Sequence, residues 1–201
     1  MELPLKLHSQ EGGWLCIEPL AEETESLLGR VTPQDRCLAA KIASPTRRRE
    51  TLAWRALLYR ELGIQPITYA PCGAPLLPEG KGFIGVSHSR HSVALCYSPT
   101  HPCAVDIESS ERNFERLITR FLTPEEQQLS CHPAFPCIAW CAKESLYKLA
   151  RRRELNLLSD LQILAITFAN NDSGRLECLL KDEEHSLNFR RFGHEWVVWK
   201  V

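Results

Sequence analysis

"HPCAVDIESS", residues 101–110, places two acids inside a run that otherwise reads as a core strand. Side chains of a strand alternate between faces, so Cys103, Val105 and Ile107 point one way while Ala104, Asp106 and Glu108 point the other. Carboxylates are almost never buried without a partner. What the acid-bearing face looks at therefore decides how the chain is organised, and residues on both sides of this strand bear on the answer.

Upstream, "GWLCIEPL" (13–20) suits a short strand and "EETESLLGR" (22–30) a short amphipathic helix ending near Gly29. A second helix is expected through Gln34 to Ile42. In "SPTRRRETLAWRALLYRELG" (44–63), Ser44 is placed to cap a helix, Pro45 to open it and Gly63 to end it, with Leu52, Leu57, Leu58 and Leu62 as its apolar stripe. "ITYA" (67–70) reads as a strand, "PCGAPLLPEGKG" (71–82) as a loop, and "FIGVSHSRHSVALCYS" (83–98) as two short strands around a polar turn.

Downstream, "SERNFERLITRFL" (110–122) has a helical pattern, and "LTPEEQ" restarts a helix with Thr123 as cap, Pro124 first and Glu126 at the capping-box position. The longest helix is expected from about Ala134 to Arg153. "LQILAITFA", "GRLECLLK", "SLNFRRF" and "EWVVWKV" alternate well enough for three or four antiparallel strands. The expected fold is α+β, in two halves of 1–104 and 105–201, each with a long helix against a small antiparallel meander.

Composition narrows the function classes. The 201 residues, 44% of them hydrophobic, are enough for one domain or two small halves. No window approaches a membrane span, and the start "MELPLKLHSQ" lacks the apolar stretch of a signal peptide, so a cytoplasmic protein is expected. A net charge of -1 gives no general attraction to nucleic acid or membrane, and any anion site has to come from a local cluster. The nine cysteines form no CxxC pair and read as reduced core thiols, and the seven histidines form no HExxH, which argues against structural zinc.

One helix face carries a second set of chemical groups. Glu144 and Lys148 lie four apart, with Trp140 one turn earlier on the same side. Alone, the pair reads as a surface ion pair worth a few tenths of a kcal/mol, and Asp106 with Glu108 as an exposed strand edge. Three carboxylates in one cleft, however, would repel unless a cation sat among them, and an all-oxygen set selects magnesium or manganese over zinc. Magnesium sites of this kind also take substrate phosphates. Cationic groups for a phosphate are at hand in Arg47, Arg48, Arg49 and Arg55, and "GVSHS" (85–89) offers Ser87 and His88 as donors. The same arginines also fit a solvated helix face, and "GVSHS" an ordinary hairpin turn.

"GAPLL", "FIGVSHS", "AVDIE", "FLTPEE" and "WCAKESLYK" occur here in an order and rough spacing that resembles the Sfp-type 4′-phosphopantetheinyl transferases. The resemblance spans roughly residues 45–150. It implies an α+β fold of two similar halves packed face to face as a pseudo-dimer, with coenzyme A in the cleft between them. It further implies Asp106, Glu108 and Glu144 as ligands of Mg2+ (or Mn2+), Lys148 as a phosphate contact that assists the departing group, and Ser87 and His88 as coenzyme A contacts. Gly73, Ala74 and Pro75 fall where the family usually reads Gly-Lys-Pro, so a lysine contact is replaced by alanine, and Arg48 or Arg49 is the expected substitute at the 3′-phosphate.

The implied reaction moves 4′-phosphopantetheine from coenzyme A to a serine of an apo acyl or peptidyl carrier protein, in a monomer with no nucleic-acid or membrane partner. Asp106, Glu144 and Lys148 are the expected catalytic groups, with Glu144, or a water held by the metal and an acid, as the base. Arg116, Leu117, Arg120 and Phe121 of "FERLITRFL" are the expected face for an acidic carrier helix, unless the two apolar residues belong to the core. Two other readings stay open: another magnesium-dependent phosphoryl-transfer enzyme or nuclease, and an RNA-binding module built on Arg47–Arg49, against which the composition argues.

Overall fold

Two sheets, buried against each other along one seam, organise the chain; the computed structural model describes residues 4–20 and 23–201. The first three residues of "MELPLKLHSQ" and Glu22 of the first helical stretch lie outside the described residues. The first sheet runs in the order β1 (Leu5–His8), β2 (Trp14–Pro19), β6 (Ser92–Ser98), β5 (Phe83–His88), all antiparallel. Its inner strands β2 and β6 read as nearly unbroken apolar runs because both faces are covered. Trp14, Cys16, Val93 and Leu95 face one core, while Leu15, Ile17, Ala94 and Cys96 face the other.

The first of these cores is closed by α3 (Pro45–Leu62), preceded by the short helices α1 (Thr24–Leu28) and α2 (Pro33–Ala40). The Ser44 hydroxyl accepts from the Arg47 amide at 3.3 Å, Pro45 opens the helix, and Gly63 ends it at φ 73°, a left-handed conformation that glycine adopts without cost. At 18 residues α3, and not the later helix, is the longest. Within "PCGAPLLPEGKG", β4 (Pro75–Leu76) pairs with β3 (Thr68–Tyr69) in a two-residue ladder where a loop was expected.

Arg55 is not available to a phosphate. Its guanidinium is paired with Asp35, donates to the Tyr69 hydroxyl at 2.8 Å and stacks over Trp54, and both charged side chains are 5% exposed. Asp35 also accepts from the hydroxyls of Tyr59 and Thr32, each at 2.7 Å. Burial alone would raise the Asp35 carboxyl, but the hydrogen bonds from Thr32 and Tyr59 and the Arg55 charge outweigh it and hold it below its ordinary 3.8. A depressed carboxyl contributes stability that is present above the unfolded value and is lost as pH falls through the folded one. Asp35→Asn should therefore cost about 3–5 kcal/mol near neutrality by stranding the Arg55 charge. It should also flatten the loss of stability below about pH 4, as denaturant titration at a series of pH values would show.

The second sheet is a meander, β8 (Leu161–Asn170), β9 (Ser173–Leu180), β10 (Glu183–Phe192) and β11 (Glu195–Lys200), with β7 (Ala104–Ser109) added at the edge beside β11. One face is covered by α5 (Phe135–Ala150), which buries Ile138, Ala142 and Leu146 among Leu161, Leu187 and Val198. The opposite face sends Val105, Ile107, Val197 and Trp199 into the seam with the first sheet. The acid-bearing face of β7 is therefore the α5 face: Asp106 pairs in register with Val198 and Glu108 with Trp196.

The two sheets meet most closely where β5 passes β7. A Cβ on Gly85 would come within 2.7 Å of the Cys96 sulfur and 2.9 Å of the Ala104 Cα, so no larger residue fits. Six of the nine cysteines are buried, as expected for core thiols, and burial pushes Cys16 up to about 11 and Cys178 to about 12. Cys37 and Cys131 are exposed, contrary to the core reading. Among the described residues no helix is long and apolar enough to cross a membrane.

The helix expected over 110–122 does not form. The chain makes turns and a single 3-10 turn, Ile118–Arg120, before α4 (Pro124–Gln127). Phe114 and Phe121 instead clamp the Trp140 ring, at centroid distances of 6.2 and 5.2 Å. Phe121 is fully buried and Leu117 packs on the same core, so the apolar half of the expected carrier-binding face is interior, leaving Arg116 and Arg120 exposed.

Candidate active site

Asp106 is the centre of the site, and three elements converge on it. Its Oδ1 accepts from the Ser87 hydroxyl of β5 at 2.7 Å and from Lys148 Nζ of α5 at 2.7 Å, and Lys148 also donates to the Val105 carbonyl at 2.9 Å. Period-two alternation on β7 turns Asp106 toward α5, and the three turns of helix before Lys148 bring its amine over the strand. Ser87 is buried, and its oxygen also accepts from the Ile107 amide at 3.4 Å, which ties the ends of the two edge strands together.

Glu108, two positions on, is paired with Arg112, whose guanidinium lies over the Phe114 and Trp140 rings at 5.2 and 4.8 Å. Glu144, one turn before Lys148, is half-buried and accepts no hydrogen bond from the described residues. Burial and the Asp106 charge push its carboxyl above the ordinary carboxylate value, with Glu108 adding to them and Lys148 and Arg112 opposing. Asp106 and Glu108 thus both act electrostatically on Glu144.

They are not gathered as a ready ligand set. Among the described residues no group of three His, Cys, Asp or Glu side chains is arranged to hold a metal; Lys148 holds Asp106 and Arg112 holds Glu108 instead. The donor chemistry nevertheless fits a hard divalent cation. Asp106, Glu108 and Glu144 offer carboxylate oxygens, and Asp106 Oδ2 and the Glu144 carboxylate accept no hydrogen bond from the described residues.

A cleft runs past Asp106 in two connected parts. One, of about 390 Å3, is lined by Thr51, Gly73, Ser87, His88, Asp106 and Lys148. The other, of about 220 Å3, shares Gly73, Pro75, Val86 and Lys148 with it and continues along Ala74, Tyr147, Arg151 and Arg152. His88 stands exposed with its Nδ1 3.3 Å from the buried Glu50 of α3, which orients the ring. The sequence-derived residues Gly73, Pro75, Ser87, His88, Asp106 and Lys148 therefore share one cleft. Glu108 and Glu144 belong to the same charge cluster without lining these walls.

Arg48 and Arg49 are not brought to either part of the cleft; Arg48 donates to the Ile42 carbonyl at 2.9 Å. Arg112, Tyr147, Arg151 and Arg152 were missed in the sequence. The only signal for the last two was the basic run "RRR" (151–153) just beyond the "KESLYK" helix. Lys143, the first lysine of "WCAKESLYK", is wholly buried, bonded to Glu126 at 2.8 Å and to the Leu157 carbonyl at 2.9 Å, and plays no part in the cleft.

No curated protein matches the chain significantly. A family model of the 4'-phosphopantetheinyl transferase superfamily matches residues 102–198, the stretch that supplies Asp106, Glu108, Glu144 and Lys148 to the site just described.

Proposed function

We propose that the protein is an Sfp-type 4′-phosphopantetheinyl transferase that moves 4′-phosphopantetheine from coenzyme A to a serine of an apo acyl or peptidyl carrier protein. The observation that carries this reading is the convergence of Ser87, Asp106 and Lys148 on one hydrogen-bonded point within a cleft that also presents His88 and Gly73–Pro75. The match of residues 102–198 to the superfamily supports it from the side of sequence. The division is placed near residue 104, so that the first half contributes coenzyme A contacts and the second the acids, the two halves being packed as a pseudo-dimer through the apolar seam.

In this reaction the carrier serine oxygen attacks the β-phosphorus of coenzyme A. The bond from that phosphorus to the bridging oxygen breaks, and 3′,5′-adenosine diphosphate leaves. Asp106, Glu108 and Glu144 are the residues that would hold Mg2+, which supplies charge neutralisation on the pyrophosphate oxygens. Lys148, moving from Asp106 Oδ1 to a phosphate oxygen, stabilises the departing group, and Ser87 keeps Asp106 oriented while it does so. Glu144, its carboxyl raised by burial and by Asp106, takes the serine proton.

Mass spectrometry of several apo carrier proteins incubated with the chain, coenzyme A and magnesium tests this directly. The expected result is the phosphopantetheine mass on the carrier serine. Unchanged carriers across the fatty-acid, polyketide and nonribosomal-peptide types would remove the reading. A nuclease assay on the same preparation separates it from other magnesium-dependent phosphate chemistry.

A further inference from the structure

Asp106 is not the only acid of the second sheet that holds β5. Glu195, the first residue of β11, accepts a hydrogen bond from the hydroxyl of Ser89, which lies just past the end of β5. Both are buried, Glu195 to 2% exposure, while Arg90 and His91 at the tip of the same turn stand in solvent. The Ser89 oxygen also accepts from the amides of His91 at 3.0 Å and Ser92 at 2.9 Å, and the Ser89 amide donates to the Ser92 carbonyl at 2.9 Å. One hydroxyl therefore closes the turn internally and ties it across the seam to the second sheet. Among the described residues Glu195 forms no ion pair, and neither it nor Ser89 lines the cleft. Burying a carboxylate without a cation costs stability. What the acid adds in return is an acceptor at a fixed place.

Alternation shows what that place governs. Ser87 and Ser89 sit two apart and both reach the second sheet, at Asp106 of β7 and Glu195 of β11. His88 between them is turned the other way, toward Glu50 of α3 and the cleft. The two acids stand on hydrogen-bonded neighbouring strands, whose register sets Asp106 against Val198 and Glu195 against Ser109. In the proposed reaction Lys148 leaves Asp106, whereas the Ser89–Glu195 bond lies outside the cleft and persists throughout. Resting on the proposed function, we propose that Glu195 is a positioning residue, which acts through Ser89 to hold His88 where it contacts coenzyme A. The simpler account, a tie that only stabilises the seam, lowers stability and leaves coenzyme A binding unchanged.

Calorimetric titration of the full chain with coenzyme A in magnesium buffer, beside equilibrium denaturation to show that each variant is folded, separates the two accounts. Ser89→Ala and Glu195→Ala should each weaken coenzyme A about tenfold, the size of one lost hydrogen bond. In a His88→Ala background the same substitutions should change affinity by less than about twofold, because the contact they position is already gone. Glu195→Gln, whose amide oxygen still accepts from the hydroxyl, should bind within about threefold of the parent chain. If Glu195→Ala does not fold, Ser89→Ala, which removes a single oxygen, carries the same comparison. Folded alanine variants that bind like the parent, that lose as much without His88 as with it, or that the glutamine variant merely matches in weakness overturn the assignment. So does a His88→Ala chain that binds undiminished, and each of these leaves the coenzyme A reading intact. A parent chain that does not bind coenzyme A overturns that reading and the assignment with it.

Discussion

Replacing Glu144 with glutamine is expected to slow carrier modification by about 10²–10⁴-fold, the range that a positioned general base contributes. Glutamine keeps the size and hydrogen-bonding reach of the side chain but neither takes a proton nor offers a charge to the metal. Glu144 is poised for this because it is half-buried, without a hydrogen bond from the described residues, and pushed toward the protonated form by burial and by Asp106. The coenzyme A contacts proposed above, Ser87, His88 and Lys148, line a cleft whose wall does not include Glu144, so affinity for coenzyme A in the variant should stay close to that of the parent chain. Rates read by mass spectrometry and affinities read by calorimetry give the two halves of the expectation. A Gln variant that modifies carriers at the parent rate would move the base elsewhere, with a metal-held water as the remaining candidate.

The second large effect concerns stability. Lys143→Met should cost about 3–5 kcal/mol, a large share of the total of a domain this size. Lys143 is completely enclosed and reaches both oxygens of Glu126, at 2.8 and 2.7 Å. Glu126 in turn accepts from the Thr123 amide at 2.8 Å, as the capping box of α4, and from the Ile163 amide of β8 at 2.8 Å. One carboxylate thus joins two helices and a strand. Methionine fills most of the lysine's volume but strands the charge. Adding Glu126→Gln removes that charge while keeping an acceptor for an amide, so the double variant should recover part of the loss in equilibrium denaturation. A single variant as stable as the parent would show that the Lys143–Glu126 pair does not hold the fold.

The pattern of what could be read in the sequence follows from the range of the interactions involved. Asp106 and Glu108 were legible as one face of a strand because alternation is local, and Glu144 with Lys148 because helix periodicity is local. Ser44, Pro45 and Gly63 marked α3 for the same reason. Arg55 was misread as part of a phosphate cluster because its partner, Asp35, lies twenty positions upstream and no spacing rule connects them. The burial of Lys143 had no local signal, because Glu126, which accepts from it, comes from a separate helix. The stretch 114–122 has a helical spacing of apolar residues, yet Phe114 and Phe121 are both drawn to Trp140. The extended cap that Thr123 must form, at ψ 163°, then limits what can precede it. Arg151 and Arg152 passed unnoticed because a basic run at a helix end is ordinary, and only the cleft wall reveals what it faces.

Gly85 lets β5 lie directly on Ala104, so the two sheets touch backbone to backbone beside the site. The walls that carry Ser87 and Asp106 are anchored on either side of that contact, 2.7 Å apart at their polar tips. In the proposed reaction, walls joined this closely leave discrimination to the width of the cleft and to the side chains that line it, Lys148 foremost.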